Sequence, residues 1–156
     1  MQREPVPDYG ATEDECRAYF SACAVLRENG GHVDLLRGQR YRKRAQFFAL
    51  YDDVRALPEN TAWTKLRKMH DWFLSQIQEN SDLVSLCKTG AEVDTAAAQH
   101  RTAALLSVEG ADLLDCALDR LETVASWGVR LINPVWNNAN VLSGSCADEP
   151  DRGLSA

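Results

Sequence analysis

The residues of this 156-residue chain best placed to do chemistry are acidic, and Glu109 stands out by position, closing the apolar run of the stretch AALLSVEGADLL. A carboxylate where a buried strand ends and a glycine lets the chain turn has two readings. It favours the positive end of a following helix, or it belongs to a site built from loops at strand ends. Other reactive side chains are scattered. His70 and His100 fall on helical stretches without a partner at ligand spacing, and Asp71 beside His70 lies on another face, so both histidines read as surface or capping residues. The run RGQRYRKR sets Arg37, Arg40, Arg42, Lys43 and Arg44 around Tyr41, a pattern able to meet phosphate, yet in a chain of net charge −6 it reads as a solvated loop. Cys16, Cys23, Cys87, Cys116 and Cys146 are odd in number and include no CxxC pair, which points to reduced thiols rather than a disulfide framework or zinc knuckle. No Ser-His-Asp order and no glycine-rich phosphate loop is present.

A strand-end carboxylate needs strands and crossovers to hold it, and the chain supplies them in alternation. Helical spacing of Cys16, Tyr19, Phe20, Cys23 and Leu26 predicts a helix over 12–28, broken by the glycines of NGGH. AQFFALY (45–51) reads as a strand, and Trp63, Leu66, Met69, Phe73 and Ile77 predict an amphipathic helix over 59–80. A shorter helix or turn is expected over 82–88 and another helix over EVDTAAAQHR. The run 102–108 reads as a buried strand and 111–126 as one helix presenting Leu113, Leu114, Ala117, Leu118, Leu121 and Val124 on one face. Gly128 ends that helix, and VRLIN (129–133) is the next strand, stopped by Pro134. Strand, helix, strand in this order implies parallel βαβ units and an α/β fold.

Composition agrees. With 45% hydrophobic residues and mixed charge, the chain suits one globular domain over 1–156, with a polar tail from 144 onward. The acidic balance opposes general attraction to nucleic acid or anionic membrane. The opening MQREPVPDYG lacks a signal-peptide core, and no stretch approaches the roughly 20 apolar residues of a membrane span, so a cytoplasmic location is expected.

Three blocks read together carry a resemblance: GGHVDLLRGQRYRKRAQFFALYDD, AALLSVEGADLL and LETVASWGVRLINPVWNNAN. In this order they resemble the renal (membrane) dipeptidase family of zinc dipeptidases, in its bacterial cytoplasmic branch, over roughly residues 26–154. The resemblance implies a (β/α)8 TIM-type barrel, of which this chain would supply about the first four βα units, with a poorly defined first strand. It also implies two zinc ions, and a dipeptide substrate hydrolysed by metal-activated water. Glu109 matches the carboxylate that bridges the metals; two cations held by one carboxylate acidify a shared water. Trp136 stands where some relatives carry a substrate-contacting histidine, and with its neighbour Asn137 marks the expected substrate-binding positions.

The family opens with a zinc-binding His-x-Asp pair, and His32-Val33-Asp34 has that pattern. His32, however, follows the polar RENGG rather than an apolar strand, and the GHVDL block leading into AQFFA matches a second, non-ligating block of the bacterial relatives. Metal binding by His32 and Asp34 is therefore the less favoured alternative. The pair should lie near Thr12-Glu13-Asp14, where Asp14 matches the ligand aspartate but no histidine stands, and the same Asp14 suits the first turn of a helix. The family's two later histidines would fall beyond Ala156. The chain is thus expected to be a truncated dipeptidase that is inactive alone and needs a complementing C-terminal half. The alternative is a catalytically dead barrel remnant that serves as a binding or assembly module, a homo-oligomer covering its open edge.

Overall fold

A computed structural model describes residues 25–155. Asp14, Cys16, Cys23 and most of the helix expected over 12–28 lie outside the described residues; residues 26–28 form a bend, not helix.

The first regular element among the described residues is a single turn, α1 (Leu35–Gly38), started by Asp34, whose carboxylate accepts from the Arg37 backbone N–H at 2.7 Å. Strand β1 (Ala45–Leu50) follows, then helix α2 (Ala62–Glu79), strand β2 (Val84–Leu86) and helix α3 (Gly90–Ala98). Thr89 and Glu92 close a reciprocal capping box at the start of α3, satisfying backbone donors that the first helical turn would otherwise orphan. Strand β3 (Thr102–Glu109), a 3-10 turn (Ala111–Leu114), helix α4 (Arg120–Trp127) and strand β4 (Val129–Asn133) complete the described chain.

Among the described residues all strand pairs are parallel, and β3 is their centre. β1 pairs along one edge from Ala103 to Val108. The other edge is shared end to end, β2 along Thr102–Ala104 and β4 along Leu106–Glu109. The longer strands β1, β3 and β4 thus stand side by side in chain order, as consecutive staves of a βα barrel wall do.

The two faces of this sheet differ. Register places Phe48 opposite Leu106 and both Leu50 and Ile132 opposite Val108, and this face packs under α2 and α4 with Leu66, Phe73, Leu113, Leu114 and Val124. Ala104, Leu106, Val108 and Leu66 are fully buried, each large side chain contributing about 1.5–3 kcal/mol. The opposite face carries Ala103, Leu105, Ser107 and Glu109. Its lower half is covered by Cys87, Val93 and Ala96 of the β2–α3 segment, while Phe47 and Leu131 remain 47% and 46% exposed.

Two expectations need correction. In the segment 82–88, Asp82 and Leu83 finish a turn as expected, but Val84–Leu86 form strand β2 rather than a helix or turn. Leu83 accepts from the Thr102 N–H and Cys87 donates to Ala104, and burial of Val84 fixes the strand against β3. Nor is 111–126 one helix. The 3-10 turn drives both Leu113 and Leu114 into the core beneath α2. The chain then reverses through Asp115 and Cys116, both at φ 51°, and becomes helical again only at Arg120. Leu118 and Leu121, expected on the buried face, are consequently exposed. Gly128, at φ 104°, ends α4 as anticipated, in a conformation where a side chain is strained.

Candidate functional site

Glu109 occupies the last position of β3, and its parity with Leu105 and Ser107 puts it on the face not covered by α2 and α4. Gly110 turns the chain there at φ 95°, a backbone angle that L side chains rarely adopt. Around Glu109 the C-terminal ends of three strands converge on a small cavity. Tyr51, Asp52 and Asp53 come from beyond β1, Gly110 and Asp112 from beyond β3, and Trp136 and Asn138 from beyond β4. The space is about 10 Å³, enough for roughly one water.

The loops are tied to one another. Ala111 donates its N–H to Pro134 at 3.2 Å, and the Asn140 amide donates to both Asp112 (2.9 Å) and the Pro134 carbonyl (2.8 Å). Tyr51 and Trp136 pack ring to ring at 4.5 Å with a 58° tilt, which walls one side of the cavity. Burial, joined by the negative charges of Asp53, Asp52 and Glu109, pushes the Tyr51 phenol up, so it stays a hydrogen-bonding hydroxyl at neutral pH. The neighbouring carboxylates are each engaged by a cation: Asp52 pairs with Lys65 at 2.8 Å, and Asp53 accepts from Arg55. That side-chain hydrogen bond is the main reason the Asp53 carboxyl lies below the usual range.

The structure gathers Glu109 and Trp136 in one place. Asn137 adjoins Trp136 in sequence but does not line the cavity; its carbonyl accepts from the Ser145 hydroxyl at 2.6 Å. His32 and Asp34 are elsewhere. Asp34 lines a different cavity with Ala45 and Thr102, at the N-terminal end of the sheet. Thr102 and Glu109 are the two ends of β3, roughly 23 Å apart at strand rise. Asp34 is also committed to structure, accepting from the Arg37 backbone and from its guanidinium at 2.5 Å. Burial alone would raise its pKa, but these bonds and one from the Asn29 N–H outweigh it and hold the carboxyl below its ordinary value. Arg37 and Arg44, expected in a solvated loop, are held inward by Asp34 and the Leu35 carbonyl. His70, expected at the surface, is buried between α2 and α4. Tyr51, Asp52 and Asp53 escaped the sequence reading, although LYDD closes an apolar strand as EG closes β3.

Whether these residues suit a zinc centre can be judged from their donors. Catalytic zinc takes about three protein ligands, usually with imidazole among them. Among the described residues no three His, Cys, Asp or Glu side chains are placed to hold a metal, and none of the three histidines lines the Glu109 cavity. The described residues therefore do not make a complete zinc site.

Comparison with known proteins follows the same lines. Residues 13–156 match the family described as Membrane dipeptidase (Peptidase family M19). Among solved structures, the probable dipeptidase PvdM from Pseudomonas aeruginosa superposes with a TM-score of 0.73 at 20% identity, covering 84% of this chain and 36% of that one. The dipeptidase AC, a metallopeptidase of family M19, gives 0.67 at 27% identity, over 80% of this chain and 39% of that one. A metallopeptidase from Rhodobacter sphaeroides, liganded with a phosphinate mimic of the dipeptide L-Ala-D-Ala, gives 0.64 at 19% identity, over 82% and 43%. No curated protein gives a match. The chain thus spans well under half the length of these solved relatives, and its parallel sheet corresponds to part of their TIM-type barrel. With almost its whole length matching the family description, the chain belongs to the membrane dipeptidase family, peptidase family M19.

Proposed function

We propose that this chain supplies the N-terminal part of a metal-dependent dipeptidase, with Glu109 as its contribution to the metal centre. The observation that carries this reading is the placement of Glu109: a strand-end carboxylate on the face of a parallel sheet not covered by α2 and α4, beside Tyr51 and Trp136. Rigid strand ends hold such a group more tightly than a loop would, and the aromatic pair lines the space beside it. The zinc pair implied by the family needs further ligands, which the described residues do not provide. The reading therefore assigns no hydrolysis to this chain alone. Trp136 is proposed to border the substrate, a dipeptide such as the L-Ala-D-Ala mimicked in the Rhodobacter relative.

The test is zinc-dependent hydrolysis of L-Ala-D-Ala by the chain alone and by the chain mixed with the C-terminal remainder of a family barrel. Turnover in the mixture only, abolished by Glu109→Gln, supports the reading. Turnover by the chain alone, indifferent to Glu109→Gln, would overturn it. A second reading, an assembly module without catalysis, is favoured by the half-exposed apolar Phe47 and Leu131. It expects a stable oligomer of this chain and no turnover in the mixture.

A further inference from the structure

Helices α2 and α4 are joined by an interleaved ladder of flat side chains. Trp127 of α4 inserts between two residues of α2 seven apart, stacking on Trp63 at 5.3 Å and 12° and on His70 at 4.4 Å and 13°. Seven positions are two helical turns, so Trp63 and His70 stand about 10 Å apart on one face, the right gap for one indole. Arg120, seven before Trp127, caps the far side of Trp63 at 4.9 Å. His70 is the other end of the ladder, only 6% exposed, and its Nε2 has no hydrogen-bond partner among the described residues.

We propose that this ladder is an acid-sensitive lock between α2 and α4, opened when His70 takes up a proton from solvent. The neutral imidazole suits the site. With the proton on Nδ1, 3.6 Å from Asp71, Nε2 is a buried bare acceptor with no partner among the described residues. The cation must instead place a second N–H there, buried and without an acceptor, which costs more than a bare lone pair. The charges facing His70 do not rescue it. Asp71, on the same helix, attracts the cation but is 79% exposed and screened by water; Lys88, after β2, repels it. On α4, the face of Trp127 would favour a cation, yet Arg120 already places one on the same π-stack. Burial is accordingly the largest influence on His70 and holds its pKa below the ordinary imidazole value.

The direction of the effect follows. The unfolded chain, with an ordinary histidine near pH 6.5, binds more protons than the folded one below that pH, so stability falls as pH drops through this window. Each pH unit between the unfolded and folded values lowers the folding equilibrium about tenfold. Because Leu113 and Leu114, just beyond Glu109, pack in the same core as α2 and α4, opening the lock loosens the support of the strand-end loop. The inference does not depend on the dipeptidase reading.

The test is urea unfolding of the full chain, followed by tryptophan fluorescence at pH 7.5 and pH 5.0, for wild type and His70→Phe. Phenylalanine keeps a flat ring on Trp127 but cannot titrate. The wild-type midpoint should fall on acidification by clearly more than that of the variant. Equal falls would overturn the proposal. A measurement on the unmodified chain guards against a variant that does not fold. In an NMR titration, the His70 ring should titrate below the ordinary imidazole range, and the Trp127 indole signal should shift at the same midpoint. Titration in the ordinary range, with Trp127 unmoved, would contradict the lock.

Discussion

The two faces of the parallel sheet are built to different degrees of completion. Toward α2 and α4, Ala104, Leu106 and Val108 are fully buried, and that side is a finished core. Toward the other side, α3 and its approach cover Ala103, while Phe47 and Leu131 stay half exposed, with Glu109 at the rim. One face therefore carries most of the stability, and the other is left partly open. The same division explains why the candidate site is incomplete among the described residues: it opens on the face where a barrel would bring its other strands.

Substitutions on the two faces sharpen this contrast. Leu106→Ala should cost the most, about 2–5 kcal/mol in chemical unfolding, because a cavity replaces a fully buried side chain in the finished core. Asp34→Ala should cost about 1–2 kcal/mol through loss of the α1 cap and the bond to Arg37. Its pH dependence should be distinctive. Because the folded carboxyl lies below its unfolded value, Asp34 contributes fully above about pH 4 and loses that contribution as pH falls further, so wild type and variant should converge in strong acid. Phe47→Ala should cost only about 1 kcal/mol, since half the ring is already in water, but should reduce binding of a hydrophobic dye. Glu109→Gln should change stability by less than about 0.5 kcal/mol, as expected of a side chain kept for a site rather than for packing. A loss there as large as for Leu106 would place Glu109 in the scaffold.

Much of the scaffold was legible from sequence because its signals are long or strongly periodic. The apolar run of β3, the spacing of Leu66 and Phe73 in α2 and the glycine after α4 each gave one consistent reading. β2 escaped because three residues carry too little alternation, and their strand character comes from pairing with β3. The break at Asp115 and Cys116 escaped because leucines continue at helical spacing through it, while the turn itself is fixed by seating Leu113 and Leu114 together. At the site, Glu109 was legible by its place at a strand end. Tyr51, Asp52 and Asp53 were not, because only the alignment of β1 beside β3 brings them to it. The burial of His70 is not legible for a related reason: its stacking partner, Trp127, lies on another helix, and no local pattern reveals how the two helices pack.

The central proposal, that Glu109 serves a metal centre which the described residues do not complete, is tested most directly by zinc content. Purified chain stripped by chelator, re-exposed to zinc and dialysed should hold well below one zinc per chain by elemental analysis, the same as Glu109→Gln. One or more zinc per chain, lost on Glu109→Gln, would contradict the account and mean that the site is already whole.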